Sequence, residues 1–289
     1  MNYNIPYNKK IFTDNETKDI IVKYLNGMSS VKIGKQYNVG HKVILRVLHE
    51  NNIEVNNSRL HRKYKLNENY FDVIDTQNKA YILGFLYADG NNGINKSTVS
   101  LCLQEEDMDI LEKIRLEIGS EKPLLYLDKS NKHDFGYNYK NQYGLYMFSK
   151  HMCESLCDKG VVPNKSLITT FPDFLPNHLL SHFIRGVYDG DGSIYRTVKN
   201  EKNHAVSVTI TATESFCQSL QSIVKEQINL NSKIYDASCH NGITKVFTLS
   251  GRNLSKSFLD WIYKDAELYL QRKYDRYMEY YFIDKPLSA

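Results

Sequence analysis

Two decapeptides hold the residues best placed to do chemistry. Residues 81–90 read YILGFLYADG and residues 183–192 read FIRGVYDGDG. Each is largely apolar, has glycine at its fourth position and ends in Asp-Gly, so Asp89 and Asp191 occupy matching points of a repeat 102 residues apart. A carboxylate at a helix C-terminus faces the negative pole of the dipole, at a cost of about 0.3–1 kcal/mol each. Two neighbouring carboxylates also repel. A divalent cation between them offsets both penalties, so the pattern points to a hard metal ion. A single Asp-Gly is a common turn, and the second matched copy carries the reading. An EF-hand-like loop around residues 189–194 is excluded, because Val187 and Val198 would then stand where carboxylates are needed.

To bring the aspartates together, the decapeptides must be paired helices. Asp75-Thr76 and Pro176-Asn177 supply start signals. Ala80, Gly84 and Ala88 share one helix face, as do Gly186 and Gly190. Small residues at that spacing let two backbones approach closely, which sets the C-terminal ends side by side. Gly90 and Gly192 are expected in the left-handed position that ends a helix. The flanking pattern repeats as well. After the first decapeptide come a strand near Thr98–Gln104, a helix over 105–119, strands near Leu124–Leu127 and Tyr143–Phe148, and a helix from about Lys150 to Lys159. After the second come strands near Ser193–Val198 and Ala205–Ala212, a helix over 213–228, strands near Ser232–Ala237 and Thr244–Leu249, and a helix over 255–265. Each half reads αββαββα. The expected fold class is α+β, a pseudo-twofold pair of halves (about 67–170 and 171–289) with saddle-shaped antiparallel sheets, preceded by a small all-α domain.

The last nine residues of each decapeptide, ILGFLYADG and IRGVYDGDG, resemble the paired motifs of single-chain LAGLIDADG homing endonucleases. The resemblance spans about residues 67–289. It implies that Asp89 and Asp191 are the metal-binding acids, with the backbone carbonyls of Ala88 and Gly190 as further ligands. The ion it implies is Mg²⁺, with Mn²⁺ expected to substitute. The sixth motif position is Tyr87 in the first copy, a departure, and Asp189 in the second. Lys165 and Lys273 follow the last helix of each half and correspond to the family's active-site lysines. The implied activity is site-specific hydrolysis of both strands of double-stranded DNA across the minor groove. The target would be long and asymmetric, and the product would carry short 3′ overhangs. Residues on and beside the strands would read bases from the major groove: Asn91, Asn92, Asn95, Lys96, Ser193, Tyr195, Arg196 and Lys199. Two alternatives on the same fold stay open. One is a non-catalytic DNA-binding regulator, a type that typically loses the metal acids. The other is an intron maturase, which would add intron RNA as a partner.

The charge is uneven. Residues 1–68 hold 12 Lys/Arg against 6 Asp/Glu, whereas the remainder holds 25 against 27. Within residues 1–54, a helix is expected over 14–27 with Asp14 or Asn15 as N-cap. A short second helix is expected after Ser29 or Ser30, and a third from about His41 to Asn51. The run GMSSVKIGKQYNVGHKVILRVLHENNI resembles a resolvase-type or transposase-type helix-turn-helix. In that motif the third helix enters the major groove, which makes His41, Lys42 and Arg46 candidate contacts. Residues 55–66 read as a basic linker whose Arg59, Arg62 and Lys63 could track phosphates.

Composition narrows the remaining classes. Across 289 residues, 42% are hydrophobic and 24% charged, which excludes disordered and collagen-like chains. Mean hydropathy is −0.49 and no apolar run approaches a span, so no membrane partner is expected. Five cysteines are too few for a disulfide framework, and the N-terminus lacks the apolar core of a signal peptide. The expectation is a cytoplasmic monomer, in a bacterial or phage-infected cell given the Asn, Lys, Ile and Tyr richness. His178/His182 and Cys153/Cys157 lack metal-ligand spacing and are expected to serve packing.

Overall fold

The protein is described by a computed structural model at residues 10–55, 63–129, 133–134, 137–200, 203–237 and 244–282. It divides into two units, Met1–Lys65 and Leu66–Ala289.

The first unit holds helices α1 (Asp14–Leu25), α2 (Ser30–Gln36) and α3 (His41–Glu50). Thr13, rather than Asp14 or Asn15, caps α1. Its hydroxyl accepts from the Glu16 amide, and the Glu16 carboxylate accepts from the Thr13 amide. That reciprocal pair needs an acid three residues on, a spacing that Thr13 has and Asp14 lacks. Ser29 caps α2. Gly34 lets the following turn close, since a Cβ there would lie 2.6 Å from the Val39 carbonyl oxygen. Ile20, Tyr24, Ile33, Val39, Val43, Ile44, Val47 and Leu48 form the core of this unit.

The second unit is built around α4 (Gln77–Ala88) and α7 (Asn177–Asp191), which carry the two decapeptides. Residues 80–87 of α4 are all buried, so this helix is apolar on every side. The two backbones touch. A Cβ on Gly84 would lie 2.0 Å from the Phe183 carbonyl oxygen, and one on Gly186 would lie 2.0 Å from the Tyr81 carbonyl oxygen.

Two antiparallel sheets of the same topology flank the pair. The first contains β1 (Gly90–Gly93), β2 (Thr98–Gln104), β3 (Leu125–Leu127) and β6 (Gln142–Phe148), in the order β1-β2-β6-β3. Between β3 and β6, strands β4 (His133–Asp134) and β5 (Tyr137–Asn138) pair separately. The second contains β7 (Gly192–Asn200), β8 (Asn203–Thr213), β9 (Lys233–Asp236) and β10 (Thr244–Ser250), in the order β7-β8-β10-β9. Gly90 pairs with Leu101 and Gly192 with Ile210, which fixes the correspondence between the halves. Helices α5 (Met108–Glu117), α6 (Lys150–Asp158), α8 (Glu214–Ile228) and α9 (Arg252–Tyr263) cover one face of the sheets, and α10 (Gln271–Tyr281) lies against β7. Val99, Leu101, Leu103, Val206, Val208 and Ile210 are buried on that covered face. The α+β architecture and the αββαββα order of each half stand as expected from sequence. Among the described residues, no helix is long and apolar enough to cross a membrane.

The structure corrects two further local expectations. Gly90 and Gly192 are not left-handed; Gly192 has φ −85° and ψ 161°. Each begins a strand directly at the helix end. Glycine is needed there for room, since a Cβ would lie 2.6 Å from the Leu86 carbonyl oxygen or 2.5 Å from that of Tyr188. The helix expected over 105–119 starts instead with a 3-10 turn, Glu105–Asp107, ahead of α5.

Candidate active site

The close packing of α4 on α7 brings Asp89 and Asp191 to one place. A Cβ on Gly190 would lie 2.2 Å from the Ala88 Cβ and 3.2 Å from Asp89 Oδ2. The Asp89 carboxylate therefore rests against the α7 backbone one residue before Asp191. Both side chains open to solvent, while protein crowds their other sides. Loss of water and then the charge of Asp89 push Asp191 up to about 6. Loss of water also raises Asp89, against the pull of Lys273, Lys165 and Arg272. A carboxylate pair held at this cost could hold a cation.

Lys165 and Lys273 converge on the same spot. They are 7% and 4% exposed, which is unusual for lysine. Lys165 Nζ donates to the Ala88 carbonyl at 2.8 Å. Lys273 Nζ donates to the Tyr188 and Gly192 carbonyls, each at 2.6 Å, with a longer contact of 3.4 Å to that of Gly190. Carbonyls orphaned at a helix end accept these bonds, and the ammonium groups counter the negative pole. The lysines thus meet part of the dipole cost that sequence alone leaves to a cation. Burial lowers the pKa of Lys165 and brings Lys273 down to about 8. Lys165 pulls more strongly than Lys273 on Asp191, and Lys273 more strongly than Lys165 on Asp89. The stronger pull on each aspartate thus comes from the lysine of the opposite half.

Two carboxylates and the Ala88 and Gly190 carbonyls make an all-oxygen donor set. Among the described residues, no three or more His, Cys, Asp or Glu gather into a larger cluster. Such a set suits a hard ion like Mg²⁺, which keeps several waters, and does not suit zinc. A cleft of about 190 Å³ opens beside Asp191, lined also by Lys165, Thr169, Thr211, Thr213 and Thr244.

The candidate DNA contacts divide by strand alternation. Asn91, Ser193 and Tyr195 are exposed on the open faces, and Asn95 and Lys96 are exposed on a 3-10 turn. Two candidates point the other way and are corrected. Asn92 is 1% exposed, and its Nδ2 donates to the Cys153 and Val161 carbonyls at 2.9 and 2.8 Å. Arg196 turns beneath the sheet, its guanidinium 4.6 Å from the centre of the Tyr280 ring. Successive strand residues face opposite sides, so neighbours of Asn91 and Tyr195 cannot share their exposure. Asn92→Leu is expected to cost about 1–3 kcal/mol of stability by stranding two carbonyls. Urea unfolding measures that loss, and DNA affinity at a fixed folded fraction should not change.

In the first unit, His41 and Lys42 are exposed at the start of α3. Arg46 is partly exposed, its side chain 39% accessible. Its Nη2 donates to the Lys10 carbonyl at 2.9 Å, and it lies 3.6 Å from Glu50. Lys63 is exposed, whereas Arg59, Arg62 and the side chain of Lys199 lie outside the described residues.

A set of residues whose role no motif marks holds the lysine-bearing segments. Asp189, 1% exposed, accepts from Tyr81 Oη at 2.9 Å and from the Leu270 amide at 2.8 Å. At the matching motif position, Tyr87 Oη donates to the Lys159 carbonyl. The sixth position thus ties each motif helix to the chain leading to its lysine, by an acceptor in one half and a donor in the other. Arg185, fully buried, donates to the Ile262 and Leu268 carbonyls at 2.7 and 2.9 Å and bonds His182 Nδ1 at 2.8 Å. Burial and then the Arg185 charge push His182 down to about 4, so it serves as a neutral acceptor.

The sequence profile of the LAGLIDADG-like domain matches residues 179–261. No curated protein matches the chain. Similar solved structures include the I-LtrWI LAGLIDADG homing endonuclease bound to target DNA, at 11% identity over 73% of this chain and 88% of that one, TM-score 0.44. The homing endonuclease I-WcaI bound to its DNA recognition sequence is 13% identical over 72% and 88%, TM-score 0.46. The N-terminal LAGLIDADG domain of DUF199/WhiA is 16% identical over 68% and 89%, TM-score 0.42. Residues 179–261 match the LAGLIDADG-like domain, and the half that precedes them has the same order of helices and strands.

Proposed function

We propose that the chain is a site-specific endonuclease that cuts both strands of double-stranded DNA. The observation that carries this reading is the meeting of Asp89 and Asp191 at paired helix ends beneath two buried lysines. Asp89 and Asp191, with the Ala88 and Gly190 carbonyls, would hold Mg²⁺ or, in its place, Mn²⁺. Such an ion neutralises phosphate charge and lowers the pKa of bound water. Lys273 directs its donors at carbonyls, so it supplies fixed positive charge rather than a proton. Lys165 does the same from the other side. Each aspartate, paired with the lysine of the opposite half, would act on one strand across the minor groove.

The open sheet faces supply readers for the major groove. Asn91 lies in register with Ser100 and Tyr146, Ser193 with Thr209, and Tyr195 with Ser207. The halves differ at these rows, which fits a long, asymmetric target, and cuts on the two strands across the minor groove would leave short 3′ overhangs. The three N-terminal helices would act as a helix-turn-helix, with His41 and Lys42 toward DNA. A tether carrying Arg59, Arg62 and Lys63 would raise affinity through effective concentration. The reading places the protein in the cytoplasm as a monomer.

Incubating purified protein and Mg²⁺ with a fragment library of the source genome, then sequencing the ends, tests this. Discrete double-strand breaks at one long site are expected. Tight binding to one sequence, with neither cutting nor nicking in Mg²⁺ or Mn²⁺, would assign the fold to a regulator instead.

A further inference from the structure

We propose that Asp107 and Arg272 form a strut between the two halves that positions Lys273, and that this strut governs the cut on one DNA strand. The link to cutting rests on the endonuclease reading; the strut itself does not.

Lys273 lies in the first turn of α10, after the segment 264–270. Its own half holds that segment through Arg185 and Asp189, as described. The first half grips it at two further points. Gln77 Nε2 and Asn78 Nδ2, in the first turn of α4, donate to the Glu267 carboxylate at 2.7 and 2.9 Å. Arg272 Nε, one residue before Lys273, donates to both oxygens of Asp107, at 2.9 and 3.0 Å. Asp107 is 7% exposed, while the Arg272 side chain is 46% exposed. A carboxylate this buried needs its partner, because an unpaired buried charge is strongly unfavourable. The 3-10 turn Glu105–Asp107, which the second half lacks before α8, carries that carboxylate to the interface.

The other lysine has a counterpart grip. Thr213 stands just before α8, as Asp107 stands just before α5, and its hydroxyl donates to the Thr169 carbonyl, four residues beyond Lys165. Each lysine segment is therefore held by the residue that opens a helix of the opposite half. The grips differ in kind: a neutral hydrogen bond for Lys165 and a charged fork for Lys273. Both members of the fork act on Asp89, the aspartate that Lys273 serves: Arg272 lowers its pKa and Asp107 raises it. Arg272 and Asp107 are positioning residues, since neither is placed at the reacting atoms.

The test uses full-length protein and two readouts. The first is hydrogen–deuterium exchange without DNA. In Asp107→Ala, the amides of residues 270–275 should exchange about tenfold faster, the equivalent of losing a charge-assisted bond, while residues 165–169 keep their wild-type rate. Unchanged exchange at 270–275 overturns the strut. The second is strand-resolved cleavage of a supercoiled plasmid carrying the recovered site. Asp107→Ala should accumulate open circles, with one strand cut about tenfold more slowly, and the slowed strand should be the one slowed by Lys273→Met. Equal slowing of both strands overturns the assignment to one cut. Asp107→Glu, which keeps the charge, should restore linear product. Arg272→Gln, altered at a half-exposed side chain, is the second variant and should reproduce the same bias. If wild type cuts no DNA, the endonuclease reading and the strand assignment fail together, and the exchange result still decides the strut.

Discussion

Replacing Asp191 with asparagine is expected to slow double-strand cleavage by at least about a thousandfold, as losing a group that stabilises transition-state charge does. The same change should stabilise the metal-free protein at pH 8. The fold raises Asp191 from the usual 3.8 to about 6, through loss of water and then the charge of Asp89. A carboxyl group with a raised pKa favours the folded state while protonated. Its ionisation erodes stability as pH rises from about 4 through about 6, and stability stays lower above that range. Asparagine cannot ionise, so the gain over wild type should be absent at pH 4 and present in full by pH 8. Thermal unfolding in chelator across this range measures it. Adding Mg²⁺ should then raise the wild-type melting temperature and leave Asp191→Asn largely unmoved, because only a bound ion shifts the equilibrium. A difference between the proteins that does not vary with pH would mean that the two carboxylates are not crowded.

Gly84→Ala is expected to cost about 3 kcal/mol or more, at the upper end for overpacking in a core. Alanine is the better helix former by about 1 kcal/mol, so helix propensity alone predicts a gain. Geometry decides against it. The new methyl would lie 2.0 Å from the Phe183 carbonyl oxygen and 3.1 Å from the Val187 amide nitrogen. Both are backbone atoms of α7, which cannot rotate away as a side chain would. The helices must separate, and every apolar contact along α4 weakens with them. Gly186→Ala meets the Tyr81 carbonyl at the same 2.0 Å and should behave alike. A lower urea midpoint at an unchanged slope would confirm it. A gain in stability would show that the helices pack through side chains.

The parts of the site that were legible in sequence obey short-range rules. The decapeptides could be paired because small residues at four-residue spacing have one main use, and the matched Asp-Gly ends then place the acids. Strand and helix positions followed from periodicity, so Thr98–Gln104 stands as read. What stayed hidden depends on contacts between distant residues. Asp107 and Arg272 are 165 positions apart, and neither belongs to a motif. Tyr87 and Asp189 hide their shared role because one donates and the other accepts. Asn92 and Arg196 differ from expectation for another reason. Asn92 lies in a short strand, Gly90–Gly93, that its polar sequence does not announce, and Arg196 in a strand where polar type alone suggests the open face; the buried Cys153 and Val161 carbonyls and the ring of Tyr280 claim them. The glycines after the aspartates meet a different physical need from the one their sequence suggests: room beside the helix end rather than a left-handed turn.

The most direct measurement of the central claim is Mn²⁺ binding to the protein on its target duplex, followed by the paramagnetic resonance of the free ion. Wild type should deplete free Mn²⁺ at the protein concentration used, and Mg²⁺ should displace it. The double variant Asp89→Asn/Asp191→Asn, bound to the same duplex, should leave the ion in solution. Equal uptake by both proteins would contradict the account, because the ion would then be held by something other than the paired aspartates.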